Sequence, residues 1–159
     1  MTSRVGFGFD VHPFSSDDSS ARKLVLGGVV FTDERPLAGH SDADVVAHAI
    51  ADAILGAAGL GDLGMHFPDS DERFRDADSL TILAACVKLA FAEGYRLTNA
   101  DCTILAERPK IAPFRDEMIA RLSAVVGAPV HVKATRPEGL GSLGRVEGIA
   151  CMAVALLET

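Results

Sequence analysis

A mixed β-sheet covered by helices in a single domain is predicted by three observations on the sequence. Segments with period-2 apolar alternation occur along the chain, segments with helical apolar spacing are interleaved with them, and no low-complexity tract or long linker separates the two kinds. With 159 residues, 48% of them hydrophobic, the chain can bury one substantial core, and 1–159 is read as one domain. A net charge of −7, one tyrosine and no tryptophan argue against a general nucleic-acid surface. No basic-then-apolar leader and no long apolar run are present, so the expectation is a cytoplasmic protein with no membrane partner. The cysteines, Cys86, Cys102 and Cys151, are widely spaced and odd in number, which points to reduced buried thiols rather than a disulfide framework or a thiolate metal site.

The first element is a strand over residues 4–12. Val5, Phe7, Phe9 and Val11 fall on one face, expected to be core, and Gly6, Gly8, Asp10 and His12 fall on the other, expected to be a site. A polar loop rich in Ser and Asp follows at 15–20, and the apolar stretch 23–31, interrupted by Gly27-Gly28, reads as one or two strands. Residues 42–58 form a helix with Val46, Ala49, Ile50, Ala53 and Ala57 inward, Asp44, His48 and Asp52 stacked on another face, and Ser41 or Asp42 as N-cap. Leu80, Leu83, Ala84, Val87 and Phe91 mark a second amphipathic helix ended by Gly94, and 96–106 returns as a strand. Pro113 begins a third helix, with Met118, Leu122, Val125 and Val126 inward before Gly127, and 130–134 and 146–157 complete the sheet. The glycine patterns 59–64 and 139–144 have dinucleotide-binding spacing. The first follows a helix and the second leads into a strand, so both read as flexible loops rather than Rossmann fingerprints.

Chemistry concentrates at Asp10 and His12. A carboxylate oxygen and an imidazole nitrogen side by side suit a divalent metal of zinc type, and the glycines before them permit close approach of other groups. The third ligand comes from His40, His48, His66 or His131. His48 is favoured, because its helix supplies neighbouring carboxylates to orient an imidazole. Two histidines and one aspartate leave a tetrahedral ion one open position, as a catalytic site requires. His40 and Ser41, at the start of the same helix, are placed to meet a phosphate through backbone N–H groups and the helix dipole. The carboxylates of the 67–71 loop suit hydrogen bonds from polyol hydroxyls.

Five separated segments, Gly8-Phe-Asp-Val-His12, His40-Ser-Asp-Ala-Asp44, Gly61-Asp-Leu-Gly64 with Phe67-Pro-Asp-Ser-Asp71, Arg108-Pro-Lys110, and Lys133-Ala-Thr135 with Gly144-Arg145, together resemble the 2-C-methyl-D-erythritol 2,4-cyclodiphosphate synthase family. The resemblance runs over nearly the whole chain. It implies cyclisation of 4-diphosphocytidyl-2-C-methyl-D-erythritol 2-phosphate with release of CMP, in the non-mevalonate isoprenoid pathway. It also implies zinc at Asp10, His12 and His48, and a second divalent ion, Mg2+ or Mn2+, held with the diphosphate by Glu138. His40 and Ser41 would meet phosphate, Asp62, Leu63 and Gly64 the ribose or erythritol end, and Phe67, Pro68, Asp69, Ser70 and Asp71 the methylerythritol. Ala106, Glu107, Arg108, Pro109 and Lys110 would form the cytidine pocket, with Thr135 beside the phosphates.

The implied fold is an α+β subunit, and the implied assembly is a homotrimer around a central axis with active sites shared between neighbours. Residues 146–157 would then be buried on both faces, and Arg145, Phe9 and Ser142 would border an axial cavity able to take an isoprenoid diphosphate. Three positions depart from the family pattern: Arg136 stands where a threonine polarises the attacked phosphate, Ser142 where an aromatic is common, and Ala43 where glycine is usual. A guanidinium is a stronger but longer phosphate donor than a hydroxyl, which makes Arg136 a candidate catalytic residue beside His40. The rival functions are a zinc phosphoesterase using water as nucleophile and a non-catalytic trimer that binds a nucleotide or isoprenoid.

Overall fold

A computed structural model of the chain describes residues 2–17 and 21–159. Four strands make the main sheet, in the order β1 (Ser3–Pro13), β6 (Gly148–Glu158), β4 (Arg96–Leu105), β5 (Val130–Thr135). β6 runs antiparallel to both β1 and β4, and β4 runs parallel to β5, so the sheet is mixed as expected. The 23–31 stretch is a hairpin, β2 (Leu24–Leu26) and β3 (Val29–Phe31), turned by Gly27 and Gly28, which both take positive φ. Of the 15–20 loop, residues 18–20 lie outside the described residues.

Helix α1 (Val45–Ala58) crosses one face of β1 and β6, α3 (Ser79–Ala92) packs beside α1, and α4 (Arg115–Val126) covers β5. The contact of β1 with α1 explains the two glycines of the strand. A Cβ on Gly8 would come within 1.9 Å of the Ala49 carbonyl oxygen, and one on Gly6 within 1.9 Å of that of Ala53. The helix answers with alanines, so the two backbones approach unusually closely. This corrects the face of β1 expected to be core, while Asp10 and His12 remain on the face expected to be a site. The Gly6, Gly8, Asp10, His12 face lies against α1, and Val5, Phe7, Phe9 and Val11 are exposed, as are Met152 and Val154 of β6 on the same side. Period-2 alternation identifies two faces but does not say which of them a helix covers.

The N-cap of α1 is Asp44, not Ser41 or Asp42. Its carboxylate is wholly buried, accepts the N–H groups of Val46 and Ala47, and also takes Gly27 N at 2.8 Å and Gly28 N at 2.7 Å. One side chain therefore starts the helix and anchors the hairpin turn. The inward stripe of α3 is Ser79, Ile82, Leu83, Cys86 and Ala90, one step round from the expected one, and Phe91 is exposed. α4 buries Met118, Leu122 and Val126 and ends at Gly127. Each glycine-spaced segment opens a short helical turn rather than a plain loop, α2 (Leu63–His66) and α5 (Gly141–Gly144).

Candidate metal centre and its cavity

Asp10 and His12 leave the end of β1 side by side on the face turned to α1, and His48 projects from the first turns of that helix. The three donor atoms lie within 4.8 Å of one another, the only group of this kind among the described residues. Asp10 Oδ2 is 3.2 Å from His12 Nε2 and 3.1 Å from His48 Nδ1. His12 Nδ1 sits 2.7 Å from the carbonyl oxygen of Ala38, which can only accept, so Nδ1 carries hydrogen and Nε2 is the nitrogen left for a metal. One carboxylate and two imidazoles converging in this way fit a divalent ion.

The electrostatics follow from the same contacts. Burial opposes the charge on Asp10, yet hydrogen bonds and charge from His12 and His48 hold its carboxyl well below the usual carboxylate range. Burial likewise opposes charge on His12, but Asp10 and the Ala38 carbonyl raise its pKa above the ordinary histidine value.

The triad lines a cavity of about 250 Å3 together with His40, Ser41, Asp52, Asp62, Leu63, Gly64, Phe67 and Asp69. Asp52 does not orient His48, as the helix stacking suggested. It accepts Leu63 N at 3.0 Å and so fastens the α2 turn over the cavity, where Asp62 caps that turn through Met65 N at 2.9 Å. Asp44, the other expected neighbour of His48, is committed to its capping role. His40 Nε2 donates to the carbonyl of Asp71 at 2.9 Å, and Asp71 pairs with Arg73. Pro68 and Ser70 do not line the cavity. The other histidines are engaged elsewhere: His66 Nε2 donates to the Leu60 carbonyl at 2.8 Å, and His131 is exposed on β5. Sequence reasoning missed Phe74 and Ile82 on the cavity wall, and Ser79, whose Oγ is 2.8 Å from His48 Nε2. A serine at the first position of a helix carries no local sign of such a partner.

A second cavity, of about 580 Å3, holds the other group of candidate residues. Glu107, Arg108, Pro109, Lys110 and Arg136 line it with Phe31 and Phe114, and Ala106 lies buried at the strand end beneath. Arg136 is fastened to Glu107 Oε1, with Nε at 3.0 Å and Nη2 at 2.5 Å, and this contact holds the Glu107 carboxyl below its ordinary range. Thr135, the last residue of β5, and Glu138, three residues further on, are exposed, Ser142 is exposed in α5, and Arg145 pairs with Glu147 at 2.7 Å.

Within one chain the two cavities are apart. Asp10 pairs with Cys151, Cys151 with Ile104 and Ile104 with Ala134, so three strand spacings, roughly 14 Å, separate β1 from β5 at this level.

The YgbB family model matches residues 3–158 of the chain. The chain belongs to the YgbB family. It is 56% identical over 158 residues to the 2-C-methyl-D-erythritol 2,4-cyclodiphosphate synthase of Geobacillus kaustophilus, covering 98% of each chain. It is 53% identical over 158 residues to the protein of that name from Geobacillus thermodenitrificans, covering 98% of this chain and 96% of the relative. Among solved structures, the CDP complex of Plasmodium falciparum IspF superimposes with a TM-score of 0.82 at 33% identity, over 98% of this chain and 95% of that one.

Proposed function

We propose that this YgbB family chain cyclises 4-diphosphocytidyl-2-C-methyl-D-erythritol 2-phosphate to 2-C-methyl-D-erythritol 2,4-cyclodiphosphate, releasing CMP, as an isoprenoid-pathway enzyme of the phosphorus–oxygen lyase class. The observation that carries the reading is the convergence of Asp10, His12 and His48 at the wall of a cavity that also presents His40, Ser41, Asp62 and Asp69. An oxygen of the substrate's 2-phosphate attacks the β-phosphorus, a new P–O bond forms, and the bond to CMP breaks with its electron pair leaving on CMP. Neither water nor a covalent protein nucleophile is consumed, so the protein has to fold the substrate and match the developing charge.

Asp10, His12 and His48 hold zinc, and Glu138 helps hold a second divalent ion, Mg2+ or Mn2+. When bound, these ions supply Lewis acidity and charge neutralisation to the phosphates. His40 and Ser41 meet phosphate, while Asp62 and the 67–71 loop take sugar and polyol hydroxyls. Ala106, Glu107, Arg108, Pro109 and Lys110 take the cytidine, a role supported by the 580 Å3 cavity that most of them line and by the CDP complex of the Plasmodium relative. Arg136, oriented by Glu107, donates to the diphosphate from that side, with Thr135 beside it.

The roughly 14 Å between the two groups is bridged by assembly. A homotrimer covers the apolar face of Val5, Phe7, Phe9, Val11, Met152 and Val154, and it sets the metal centre of one subunit against the cytidine cavity of the next. Exposed apolar patches of this kind favour association, because covering them removes apolar surface from water. Arg145 and Ser142 then border the axis, where an isoprenoid diphosphate fits. We place its action in the cytoplasm; no helix of the described residues is long and apolar enough to cross a membrane.

The direct test incubates the purified chain with the cytidyl substrate, zinc and magnesium, and follows phosphorus by NMR. Equal amounts of CMP and cyclic diphosphate support the cyclase. Phosphate-ester hydrolysis without cyclic product supports a phosphoesterase, and binding without turnover supports a silent trimer.

A further inference from the structure

The second nitrogen of His48 leads away from the cavity into a buried polar chain. Ser79 Oγ lies 2.8 Å from Nε2, Ser79 is fully buried, and its hydroxyl donates to Asp42 Oδ1. Asp42 is itself held by backbone, its Oδ2 taking Ser79 N at 3.1 Å and its Oδ1 taking Asp44 N at 3.1 Å. A hydroxyl has one hydrogen. With that hydrogen on the carboxylate, Ser79 Oγ can only accept from the imidazole, so His48 Nε2 is the donor. Ser41 Oγ, 3.2 Å from the same nitrogen and itself accepting Ala43 N–H, is a further acceptor beside it.

We propose that Ser79 and Asp42 are positioning residues of the metal centre: Asp42 holds the Ser79 hydroxyl, which accepts the Nε2–H of His48 and fixes that ring with Nδ1 on the Asp10 side, as the nitrogen that would meet a bound ion. The inference rests on the reading of Asp10, His12 and His48 as the metal centre. His12 has the mirror arrangement, in which the Ala38 carbonyl takes Nδ1–H and leaves Nε2. The two rings thus present opposite nitrogens to one point, each set by a partner outside the ligand set. The relay also ties the centre to the helix packing, because Ser79 opens α3 while His48 belongs to α1. Without it the imidazole can rotate and exchange Nδ1 for Nε2.

The test uses the full chain and reads zinc affinity by competition with a chromophoric chelator, together with imidazole nitrogen–proton NMR. In the zinc-loaded wild type, His48 should carry its hydrogen on Nε2 with Nδ1 on the metal. Ser79→Ala and Asp42→Ala should each lower zinc affinity about 10–100-fold and speed exchange of that hydrogen. Ser79→Thr keeps the hydroxyl and should restore affinity to within roughly threefold of wild type, which a merely structural role for the site would not require. Should the alanine variants fail to fold, the wild-type NMR assignment and the threonine variant still decide. Wild type that binds zinc with His48 hydrogen on Nδ1, or folded alanine variants with wild-type affinity, overturns the relay and leaves the metal centre standing. Wild type with no zinc affinity overturns the centre and the relay with it.

Discussion

At the scale of single residues, the metal centre is a set of commitments of individual lone pairs. Asp10 shares one oxygen between two imidazoles, and His12 has given Nδ1–H to a carbonyl. His48→Ala should therefore abolish tight zinc binding and cyclisation while leaving the thermal transition of the metal-free protein within a few degrees of wild type. Zinc analysis of the purified variant checks this, and wild-type zinc content would remove His48 from the ligand set. The pH response has a definite sign. His12 is raised above its ordinary value, so in the metal-free protein its pairing with Asp10 stabilises fully below about pH 6.5 and is lost as pH rises through the folded pKa. Asp10 is depressed, so its contribution is present above about pH 4 and is lost only as pH falls toward its lower folded value. Zinc must displace the His12 proton. Its affinity should thus rise with pH up to the raised His12 pKa and level off above it, by roughly tenfold per unit for one displaced proton. A titration showing a pH-independent zinc affinity between pH 6 and 8 would contradict the assignment. At Arg136, alanine substitution should slow single-turnover cyclisation more than it weakens substrate binding, because donors matched to developing charge act in the transition state. An unchanged single-turnover rate would confine Arg136 to holding Glu107.

At the scale of elements, the site depends on how closely β1 and α1 approach. Gly8→Ala drives a methyl into the Ala49 carbonyl, an overlap with backbone that no side-chain rotation relieves. The expected loss is about 1–3 kcal/mol or more in urea unfolding, accompanied by weaker zinc binding, since Asp10 and His48 ride on the two displaced backbones. A Gly8→Ala protein of wild-type stability would mean that the strand and helix can separate without cost. Asp44 shows why element reasoning from spacing alone falls short. Its i, i+4 relation to His48 suggests a shared function, but its carboxylate is consumed by the N–H groups of Val46, Ala47, Gly27 and Gly28. Caps are chosen by which carboxylate reaches the free N–H groups, and Ser41, Asp42 and Asp44 are all chemically suitable.

At the scale of the whole molecule, one chain presents two separate cavities and one exposed apolar face. If the proposed trimer forms through this face, Phe7→Asp should yield smaller species by light scattering and abolish cyclisation while zinc still binds, because the ligands lie on the opposite face of β1. A separate test mixes subunits. Trimers defective at His48 and trimers defective at Lys110 should be inactive alone and regain activity after exchange of subunits, since a hybrid joins an intact metal centre to an intact cytidine cavity. Absence of any recovery in demonstrably mixed trimers would place the entire site within one chain.

The amino-acid chain alone spells out the strands and helices, the pairing of Asp10 with His12 and the choice of His48, because each follows from short periodicities and from the donor chemistry of a few residue types. It also carried the family, through five motifs in order. Packing in three dimensions selected which face of β1 meets α1, since alternation is symmetric between faces and the glycines are explained only by the helix that fills their space. It alone brought Ser79 to His48, 31 residues away, and parted the Arg108–Lys110 segment from the metal centre by the width of the sheet. Those are long-range juxtapositions, set by which strands pair and which helices pack, and no local pattern of residues encodes them.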